Sequence, residues 1–423
     1  MAVITIPLDL LDVEIIKLET NTDNDFIITV KNIKPTVCNK CKKKMTKIHG
    51  YGDTIFARHV PLFEQSVYIE IRPVRFQCQY CKDNRTQTEQ LDWYNPRSRV
   101  TKKFEKYLMC MLINSTVIDV AKKVGTTEGL IYGAFERQVS EQVDWDEIYT
   151  LEILGIDEIS IKKGHKDFVA VISSRVNGKT IVLAVLPDRK KQTVKKFLEN
   201  IPERLKCTVT KVCTDMYDGY INAAQEIFGN KIPVVADRFH VARLYRKPLD
   251  TLRKKELKRL KLELSEEAYK ELKGAMWALR KDPNVLDKDS TTTLSKLFSY
   301  SPILQLAYQF MLSLTDIFET DHNKMEASKE IKKWIKTVME SHLDCYDKFI
   351  ATLNKYWDNI LNYFHRRSRM SSGFVEGMNN KIKTMKRRCY GLTNILSLFK
   401  RIFSDIEGYK YFSRGGTQAD IWV

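Results

Sequence analysis

The stretch LEILGIDEISI, residues 151–161, places Asp157 after a short apolar, β-branched run. A second stretch, TVTKVCTDMYDGY at 208–220, repeats this arrangement around Asp215. Such runs predict buried strands that bring a side chain to the rim of a sheet. A third stretch, SSGFVEGMNNKIKTMKRR at 371–388, has helical character and carries Glu376 near its start. Carboxylates from three separate elements are therefore predicted to converge.

The three carboxylates predict a site for two divalent metal ions. Hard cations such as Mg²⁺ prefer oxygen ligands, and a pair of them can activate a water or a 3′-hydroxyl and stabilise the leaving oxygen of a phosphodiester. We therefore expect Asp157, Asp215 and Glu376 to be catalytic ligands of two Mg²⁺ ions, with Mn²⁺ as a substitute, in DNA cleavage and joining. Asp237 also ends a β-type run, so the pattern leaves it open as an alternative ligand.

The segment around Glu376 also predicts a surface that contacts DNA. At about 100° per residue, Asn380, Lys383 and Arg387 fall with Glu376 within a stripe roughly 60° wide on one side of a helix. This face would present a metal ligand followed by side chains that bind DNA phosphates.

The composition favours nucleic acid as the partner. The 423 residues include 70 Lys and Arg against 53 Asp and Glu, which gives a net charge of +17. Such a surplus attracts polyanions through counterion release and long-range attraction. A membrane is the weaker alternative, because the sequence has no apolar run of about 18 residues and its N-terminus has no basic leader region. We expect a cytoplasmic, nucleoid-associated protein of a prokaryote.

Four of the nine cysteines form two CxxC pairs, Cys38–Cys41 and Cys78–Cys81. Each pair can direct two thiolates at one ion, and two pairs complete a tetrahedral structural Zn²⁺ site. The intervening runs TIFARHV and SVYIEIRPVRF predict strands of the same ribbon. His49 and His59 are alternative ligands, but we expect both to be ordinary hydrogen-bonded histidines.

After Pro96 the pattern becomes helical. Within TVIDVAKKVGTTEGLIYGAFERQV at 116–139, Ala121 suits the close approach of two helices, Gly125 the turn, and Ile131 the packing of the second helix on the first. This spacing predicts a helix-turn-helix, with a plain helical hairpin as the alternative. The residues expected to face a DNA groove are Thr126, Thr127 and Tyr132.

Together these motifs resemble the zinc-ribbon DDE transposases of the ISL-three insertion-sequence group. An acid followed seven positions later by Lys, here Glu376 and Lys383, after two strand-borne aspartates is what DDE transposases show. The resemblance spans about residues 38–400. The strings that carry it are the paired CxxC, GIDEISIKKGH at 155–165, TDMYDGY at 214–220, ADRFHV at 236–241 and S-x-G-x-x-E-G-x-N-N-x-I-K at 371–383.

The resemblance implies a multidomain α+β protein whose ribonuclease-H-like α/β core is interrupted by an all-helical insertion. The order of elements agrees, with strands at LEILGIDEIS, DFVAVISSR and TIVLAVLP, a helix at KKQTVKKFLENI, a strand at CTVTKVCTD, a helix at GYINAAQEIF and a strand at IPVVAD. The expected boundaries are 1–95 for the zinc ribbon, 96–145 for the helix-turn-helix, 150–240 for the first part of the core, 241–365 for the insertion, 366–410 for the last part of the core and 411–423 for a poorly ordered tail.

Several neighbours of the expected site need separate roles. By the resemblance, Arg238 and His240 would brace the active site or contact DNA near it; a histidine that only closes the core is the alternative. Glu158 should point to the sheet face opposite Asp157, and Asp218 is expected to cap the following helix. The tryptophans of the insertion are expected to pack in its core: Trp277, Trp334 and Trp357.

The sequence therefore predicts a DNA transposase of an insertion sequence. It would bind the terminal inverted repeats of its element and a target DNA, act as a homodimer or higher oligomer on DNA, and cleave and transfer strands. The alternatives are a DNA-binding regulator that has lost catalysis and a structure-selective nuclease on the same fold. The intact set of three acids with Lys383 argues against the regulator.

Overall fold

A computed structural model describes residues 8–161, 167–365, 368–369, 373–390 and 392–413. The chain forms two compact units, Met1–Glu141 with Lys400–Val423, and Gln142–Phe399. Parts of two sequence motifs, at 162–166 and 371–372, and the tail from 414 onward lie outside the described residues. No described helix is both long enough and apolar enough to span a lipid bilayer.

Seven strands form two sheets in the first unit. They are β1 (Val13–Thr20), β2 (Phe26–Asn32), β3 (Lys47–Tyr51), β4 (Ile55–Leu62), β5 (Gln65–Ile71), β6 (Val74–Gln77) and β7 (Thr86–Thr88). One sheet has the order β1-β2-β5-β4, and the other has the order β3-β6-β7. Alternate residues of β2 and β5, such as Ile28 and Ile69, are buried in one cluster with Trp93. The runs TIFARHV and SVYIEI therefore lie in a sheet with a core of its own, next in the chain to the three-stranded sheet that contains β6.

Three helices follow, α1 (Lys102–Leu112), α2 (Val117–Val124) and α3 (Glu128–Gln138). The predicted turn is present, because Gly125 ends α2 with φ 63°, a left-handed conformation that favours glycine. Ala121 and Ile131 are buried in the same cluster, as their spacing predicts. The side chain of Thr127 accepts a hydrogen bond from the backbone N–H of Leu130 and so caps the start of α3.

Arg58 of β4 joins the four-stranded sheet to these helices. Its guanidinium donates to the carbonyl oxygens of Val124 and Gly125, each at 2.7 Å, and lies 5.1 Å from the ring centre of Phe104. A cation at the C-terminal end of a helix pairs with carbonyl groups that have no partner inside the helix. The orientation of α2 is thus held by a residue outside the helical segment.

The second unit begins with a five-stranded sheet and the helices that cover it. Its elements are β8 (Ile153–Ser160), β9 (Phe168–Val176), β10 (Lys179–Leu186), α4 (Lys191–Glu199), α5 (Glu203–Lys206), β11 (Lys211–Thr214), α6 (Asp218–Phe228) and β12 (Val234–Ala236). The strand order is β10-β9-β8-β11-β12. The first three strands are antiparallel, whereas β11 pairs in parallel with both β8 and β12. All five strands and the two long helices lie at the predicted strings, and the short α5 was not predicted.

Helices make up most of the remaining chain. They are α7 (Arg238–Glu263), α8 (Glu266–Lys270), α9 (Ala275–Ala278), α10 (Lys288–Tyr300), α11 (Pro302–Glu319), α12 (Lys324–Glu340), α13 (Asp347–Lys355) and α14 (Trp357–Leu361), then the two-residue strands β13 (Phe364–His365) and β14 (Ser368–Arg369), then α15 (Gly373–Arg388) and α16 (Ile395–Phe412). Trp334 is buried and donates to the carbonyl of Phe310, and Trp357 is partly buried against the same cluster. Trp277 is 63% exposed, so core packing was the wrong expectation for this residue.

The C-terminal part of α16 belongs to the first unit. Lys400 is buried there and pairs with Glu136 and, at 3.5 Å, with Glu141, while Arg401 pairs with Asp405 at 3.2 Å. The expected boundary at 410 assigns this whole helix to the catalytic core. The structure instead groups residues from Lys400 onward with the helix-turn-helix segment.

Candidate functional site

The four cysteines of the two CxxC pairs form one cluster. Their sulfur atoms all lie within 4.8 Å of one another, with 3.8 Å between Cys38 and Cys81 and 3.6 Å between Cys41 and Cys78. The first pair precedes β3 and the second follows β6, so the three-stranded sheet brings them together. The backbone N–H groups of Cys41 and Lys40 donate to the Cys38 sulfur and lower the pKa of its thiol to about 6. Four thiol ligands at this spacing fit a tetrahedral zinc ion.

The two histidines between the pairs are not members of this cluster. His59 is buried, and its ring nitrogens lie 2.9 Å from Thr101 Oγ1 and 3.0 Å from the carbonyl oxygen of Leu8. Burial lowers the pKa of His59. The expectation that His59 is an ordinary hydrogen-bonded histidine is confirmed.

The start of α3 carries the three residues expected to face DNA. Thr127 is exposed and its hydroxyl oxygen accepts from Leu130, whereas Thr126 is half-buried in the turn with its backbone N–H bonded to Ala121. Tyr132 is 54% exposed. Backbone N–H groups at a helix start attract phosphate, so this end of α3 suits a nucleic-acid surface.

The second unit brings two of the expected acids to neighbouring strands. Asp157 lies on β8 and is buried, and Asp215 directly follows β11, which pairs in parallel with β8. Asp157 Oδ1 accepts from the backbone N–H of Glu158 at 2.7 Å, and Asp157 Oδ2 accepts from the Asn379 amide of α15. These contacts fix the orientation of the Asp157 carboxylate.

Burial and mutual repulsion perturb both carboxylates. Desolvation raises the pKa of Asp157 to about 6. Desolvation, followed by the negative charge of Asp157, raises the pKa of Asp215 to about 7. Electrostatic interaction with His240 lowers both pKa values and so opposes these shifts, which indicates that this histidine lies near the pair. A cation between the carboxylates would remove the unfavourable energy of their ionised forms.

Several polar atoms around the pair are buried without a hydrogen-bond partner: Asp215 Oδ1, Thr214 Oγ1 and the Tyr220 hydroxyl. Burial and the charges of Glu158, Asp215 and Asp157 raise the pKa of Tyr220, so its hydroxyl lies near the acids. Unpaired buried oxygens and negative charge fit a divalent cation. Among the described residues, only the cysteine cluster has three or more ligand atoms within 4.8 Å of one another.

Glu376 lies in the first turn of α15 and is half-buried. It lines a cavity of about 360 Å³ together with Asp237, Arg238 and Arg246. The carboxylate of Asp237 caps α7 by accepting from the backbone N–H of Phe239 at 2.8 Å. Asp237 is therefore close to both Glu376 and the Asp157–Asp215 pair, whose pKa values its charge raises.

Arg238 points into the helical part of the second unit. Its Nη2 donates to the Tyr245 hydroxyl at 3.0 Å, and its guanidinium lies 4.4 Å from the ring centre of Phe318. Arg238 thus connects the cavity beside Glu376 with the core formed by α7 and α11. His240, two residues further along α7, instead interacts electrostatically with Asp157 and Asp215.

The residues of the predicted α15 stripe that are expected to contact DNA are exposed. Asn380, Lys383 and Arg387 are all exposed. The buried face consists of other residues of the helix: Val375, Met378, Asn379, Ile382 and Met385.

Two polar residues beside or within that buried face were missed. Asn379 contacts Asp157, and Lys386 donates to the carbonyl oxygens of Ser160 and Ile161 at 2.6 and 3.0 Å. They are seven positions apart and so lie on one side of the helix. A polar pair at this spacing on an otherwise apolar stripe is the sequence signal that could have identified them.

Of the two acids next to the expected site, Glu158 has the predicted orientation and Asp218 does not have the predicted role. Glu158 alternates with Asp157 and pairs with Arg189 at 2.9 Å, as its position on the other sheet face predicts. Asp218 does not cap α6: it is the first residue of that helix and accepts from Lys355 and from the Tyr356 hydroxyl. Its expected capping role was wrong, because Tyr217 occupies the capping position and the Asp218 carboxylate is engaged by Lys355, the last residue of α13, and by Tyr356.

Comparison with known proteins identifies the family. A profile for the zinc-finger of transposases IS204/IS1001/IS1096/IS1165 matches residues 34–81, and one for the helix-turn-helix domain of transposase family ISL3 matches residues 89–139. A DDE transposase profile of the same family matches residues 154–402, more than half of the chain. The chain belongs to the ISL3 family of transposases.

Two relatives are transposases of insertion sequences. The transposase for insertion sequence element IS1001 of Bordetella parapertussis is 26% identical over 385 residues, which cover 89% of this chain and 91% of that protein. The transposase for insertion sequence element IS1557 of Mycobacterium tuberculosis is 22% identical over 311 residues, or 68% and 66% of the two chains.

Family membership confirms the predicted domain order of zinc ribbon, helix-turn-helix and transposase domain. The plain helical hairpin is thereby excluded for the segment around α2 and α3. The cysteine cluster lies within the matched zinc-finger residues, which supports a structural zinc in this ISL3 transposase.

We expect one Zn²⁺ per chain, lost when Cys38 and Cys78 are replaced by Ser. A structural zinc contributes on the order of 10 kcal/mol to the folding of a small domain. The double variant should therefore also lose protease resistance around the three-stranded sheet. Metal analysis and limited proteolysis measure both effects.

The control is Cys207→Ser, which changes an exposed cysteine outside the cluster and should retain the zinc. An unchanged zinc content or protease pattern in the Cys38 and Cys78 variant would remove the zinc assignment.

In EDTA, Asp215→Asn should stabilise the transposase. The pKa of Asp215 rises from 3.8 to about 7 on folding, so its deprotonation opposes folding and the free energy of unfolding falls as pH rises through this range. At pH ~8 the variant should gain on the order of 2 kcal/mol, and near pH ~2 it should gain almost nothing, because the carboxyl is then protonated in both states.

Asp218→Asn is the matched control. Lys355 and Tyr356 lower the pKa of Asp218, so the amide should not stabilise the protein at pH ~8. Urea denaturation at several pH values tests both variants. Equal effects of the two substitutions would contradict the electrostatic account of Asp215.

Proposed function

We propose that the five-stranded sheet is a ribonuclease-H-like catalytic core and that α7–α14 are an insertion within it. The proposal is supported by the order of the strands, with β8, β9 and β10 antiparallel and with β11 and β12 parallel to β8. It is also supported by the run of helices between β12 and the segment that carries Glu376. The domain boundaries expected from the sequence remain our proposal, apart from the part of α16 that begins at Lys400.

The proposed activity is metal-dependent cleavage of DNA at the terminal inverted repeats of the element, followed by strand transfer to a target. The observation that carries it is the proximity of two acids on parallel neighbours in the sheet: Asp157 is buried on β8, and Asp215 directly follows β11 with its Oδ1 buried and unpaired. Together with Glu376 these residues would hold two Mg²⁺ or Mn²⁺ ions. When bound, the ions activate a water or a 3′-hydroxyl and stabilise the leaving oxygen of the phosphodiester.

The protein's own groups position these ligands. Asn379 donates to Asp157 Oδ2, so the Asp157 carboxylate is oriented independently of any ion. Glu376 lies one turn before Asn379 on α15, so the same contact also sets the distance of the third acid from β8. His240 interacts electrostatically with both aspartates. Asp237 is the first alternative ligand, although its carboxylate already caps α7.

DNA would contact both units. Thr126, Thr127 and Tyr132 would read the element end from the start of α3. Asn380, Lys383 and Arg387 would bind phosphates next to the scissile bond, because they share the exposed side of the helix that carries Glu376. Arg238 would brace the active site through its contacts with Tyr245 and Phe318. Action on two element ends requires a homodimer or higher oligomer on DNA.

Single changes Asp157→Ala, Asp215→Ala and Glu376→Ala should reduce cleavage and joining by on the order of 10³-fold or more, because the loss of one carboxylate leaves the ions unbalanced. Binding of the element end should remain near wild type. Cleavage and joining are scored on one labelled element end with Mg²⁺.

Asp218→Ala, which removes an exposed acid three residues after Asp215, is the control and should stay active. A folded triad variant with near wild-type nicking would exclude that residue as a ligand, and Asp237 would replace it. Cleavage by the wild type without joined product would favour the nuclease.

Lys383→Ala and Arg387→Ala should each weaken binding about equally for correct and scrambled end sequences. A phosphate contact contributes affinity without sequence readout, so each change should reduce the log–log salt slope by about one unit. Lys383→Ala should also slow cleavage, because Lys383 lies closer to Glu376.

Lys381→Ala is the matched control, since Lys381 is exposed on the same helix but points about 140° away from Glu376. If all three alanine variants share one salt slope, this stripe does not contact DNA.

A further inference from the structure

The edge strand β1 is the most exposed strand of the first unit. Seven of its eight residues are exposed. Among the strands that the structure describes, it pairs only with β2 and so forms one edge of the four-stranded sheet. On the side of β1 that faces away from β2, the backbone N–H and C=O groups can therefore pair with a further strand.

The surface along this edge is unusually apolar. The large apolar side chains on β1 and beside it are each between 54% and 79% exposed: Leu11, Ile15, Ile16, Leu18 and Ile33. Natural edge strands are usually kept short or carry lysine, proline or inward-pointing charge, which prevents pairing with another chain. An eight-residue edge with one lysine and four apolar residues has the features of a strand that pairs.

We propose that β1 pairs antiparallel with β1 of a second copy of this chain, about a two-fold axis at Leu18. Lys17 Nζ lies 2.5 Å from Glu19 Oε1 on its own strand. With the axis at Leu18, each Lys17 lies opposite Glu19 of the second copy. The four side chains then alternate in charge, and the two Leu18 side chains meet on the other face of the sheet.

Neighbouring registers lack this complementarity. An axis at Lys17 would place two ammonium groups opposite each other, and directly opposed like charges are destabilising. An axis at Ile16 would place Glu14 opposite Leu18, and Ile16 is also where the register of β1 against β2 shifts. Charge and shape therefore favour the axis at Leu18.

The pairing would join two four-stranded sheets into one continuous sheet. Each sheet is tied to its own helix-turn-helix through Arg58, so two DNA-binding segments would be related by one two-fold axis. A two-fold dimer matches two DNA sites in inverted orientation. The interface lies outside the catalytic acids and does not depend on the proposed chemistry.

The test is the mass of the full chain in solution without DNA, measured by sedimentation velocity at micromolar concentration. The wild type should sediment with twice the chain mass of 49.4 kDa. Leu18→Lys places two charges on the axis and should produce a monomer. Phe63→Lys is the matched control, because Phe63 is an exposed apolar residue at the β4–β5 turn, and it should remain dimeric.

Charge reversal tests the register. Lys17→Glu and Glu19→Lys should each weaken dimerisation by about tenfold or more, because each places like charges opposite one another. The double variant with both changes should recover the wild-type dimer, since opposite charges face each other again. Zinc content and thermal stability serve as folding controls for every variant.

A wild type that is monomeric, or a dimer unaffected by Leu18→Lys, would overturn the interface. A dimer that Leu18→Lys disrupts but the double charge reversal fails to restore would overturn the register. Absence of strand cleavage by an intact dimer would contradict only the proposed catalysis. The two proposals can therefore fail independently.

Discussion

The second unit is organised around two carboxylates that the fold forces into a buried position. Asp157 lies on β8 and Asp215 directly follows the parallel neighbour β11, and burial raises the pKa of both. Placing two like charges in a poorly hydrated site costs stability unless a cation or a hydrogen bond compensates. The hydrogen bond from Asn379 compensates part of this cost. The unpaired oxygen of Asp215 leaves the rest of this cost uncompensated.

Helix α15 connects this site to the remainder of the unit. Its buried face packs on the sheet through apolar residues, Asn379 holds Asp157, and Lys386 binds the backbone at the end of β8. The exposed side carries Glu376 and the candidate phosphate ligands. One amphipathic helix thus determines both the orientation of an acid on the sheet and which polar side chains are exposed, because residues three, four and seven positions apart share a side of a helix.

The first unit is stabilised differently, through small cores and cross-links. The three-stranded sheet buries few apolar residues besides the cysteines, so a zinc ion held by the four thiolates would contribute much of its folding energy. The helix-turn-helix is held from outside, by Arg58 at the end of α2 and by the buried Lys400 beside Glu136. These contacts join residues far apart in the chain, so the DNA-binding segment depends on elements that flank it in space and not in sequence.

Local patterns in the sequence determined much of this protein. The alternating and apolar runs located the strands around Asp157 and Asp215, the CxxC spacing located the cysteine cluster, and Gly125 located the turn before α3, because each depends on neighbours a few residues away. Long-range pairing was decided only by the tertiary structure. The tertiary structure placed TIFARHV in a different sheet from the cysteines, paired Asp218 with Lys355, and placed Asn379 against Asp157. Among the described strands, it left β1 at an exposed sheet edge. These contacts join residues far apart in the chain, and which of them form depends on how the folded elements pack and bury one another.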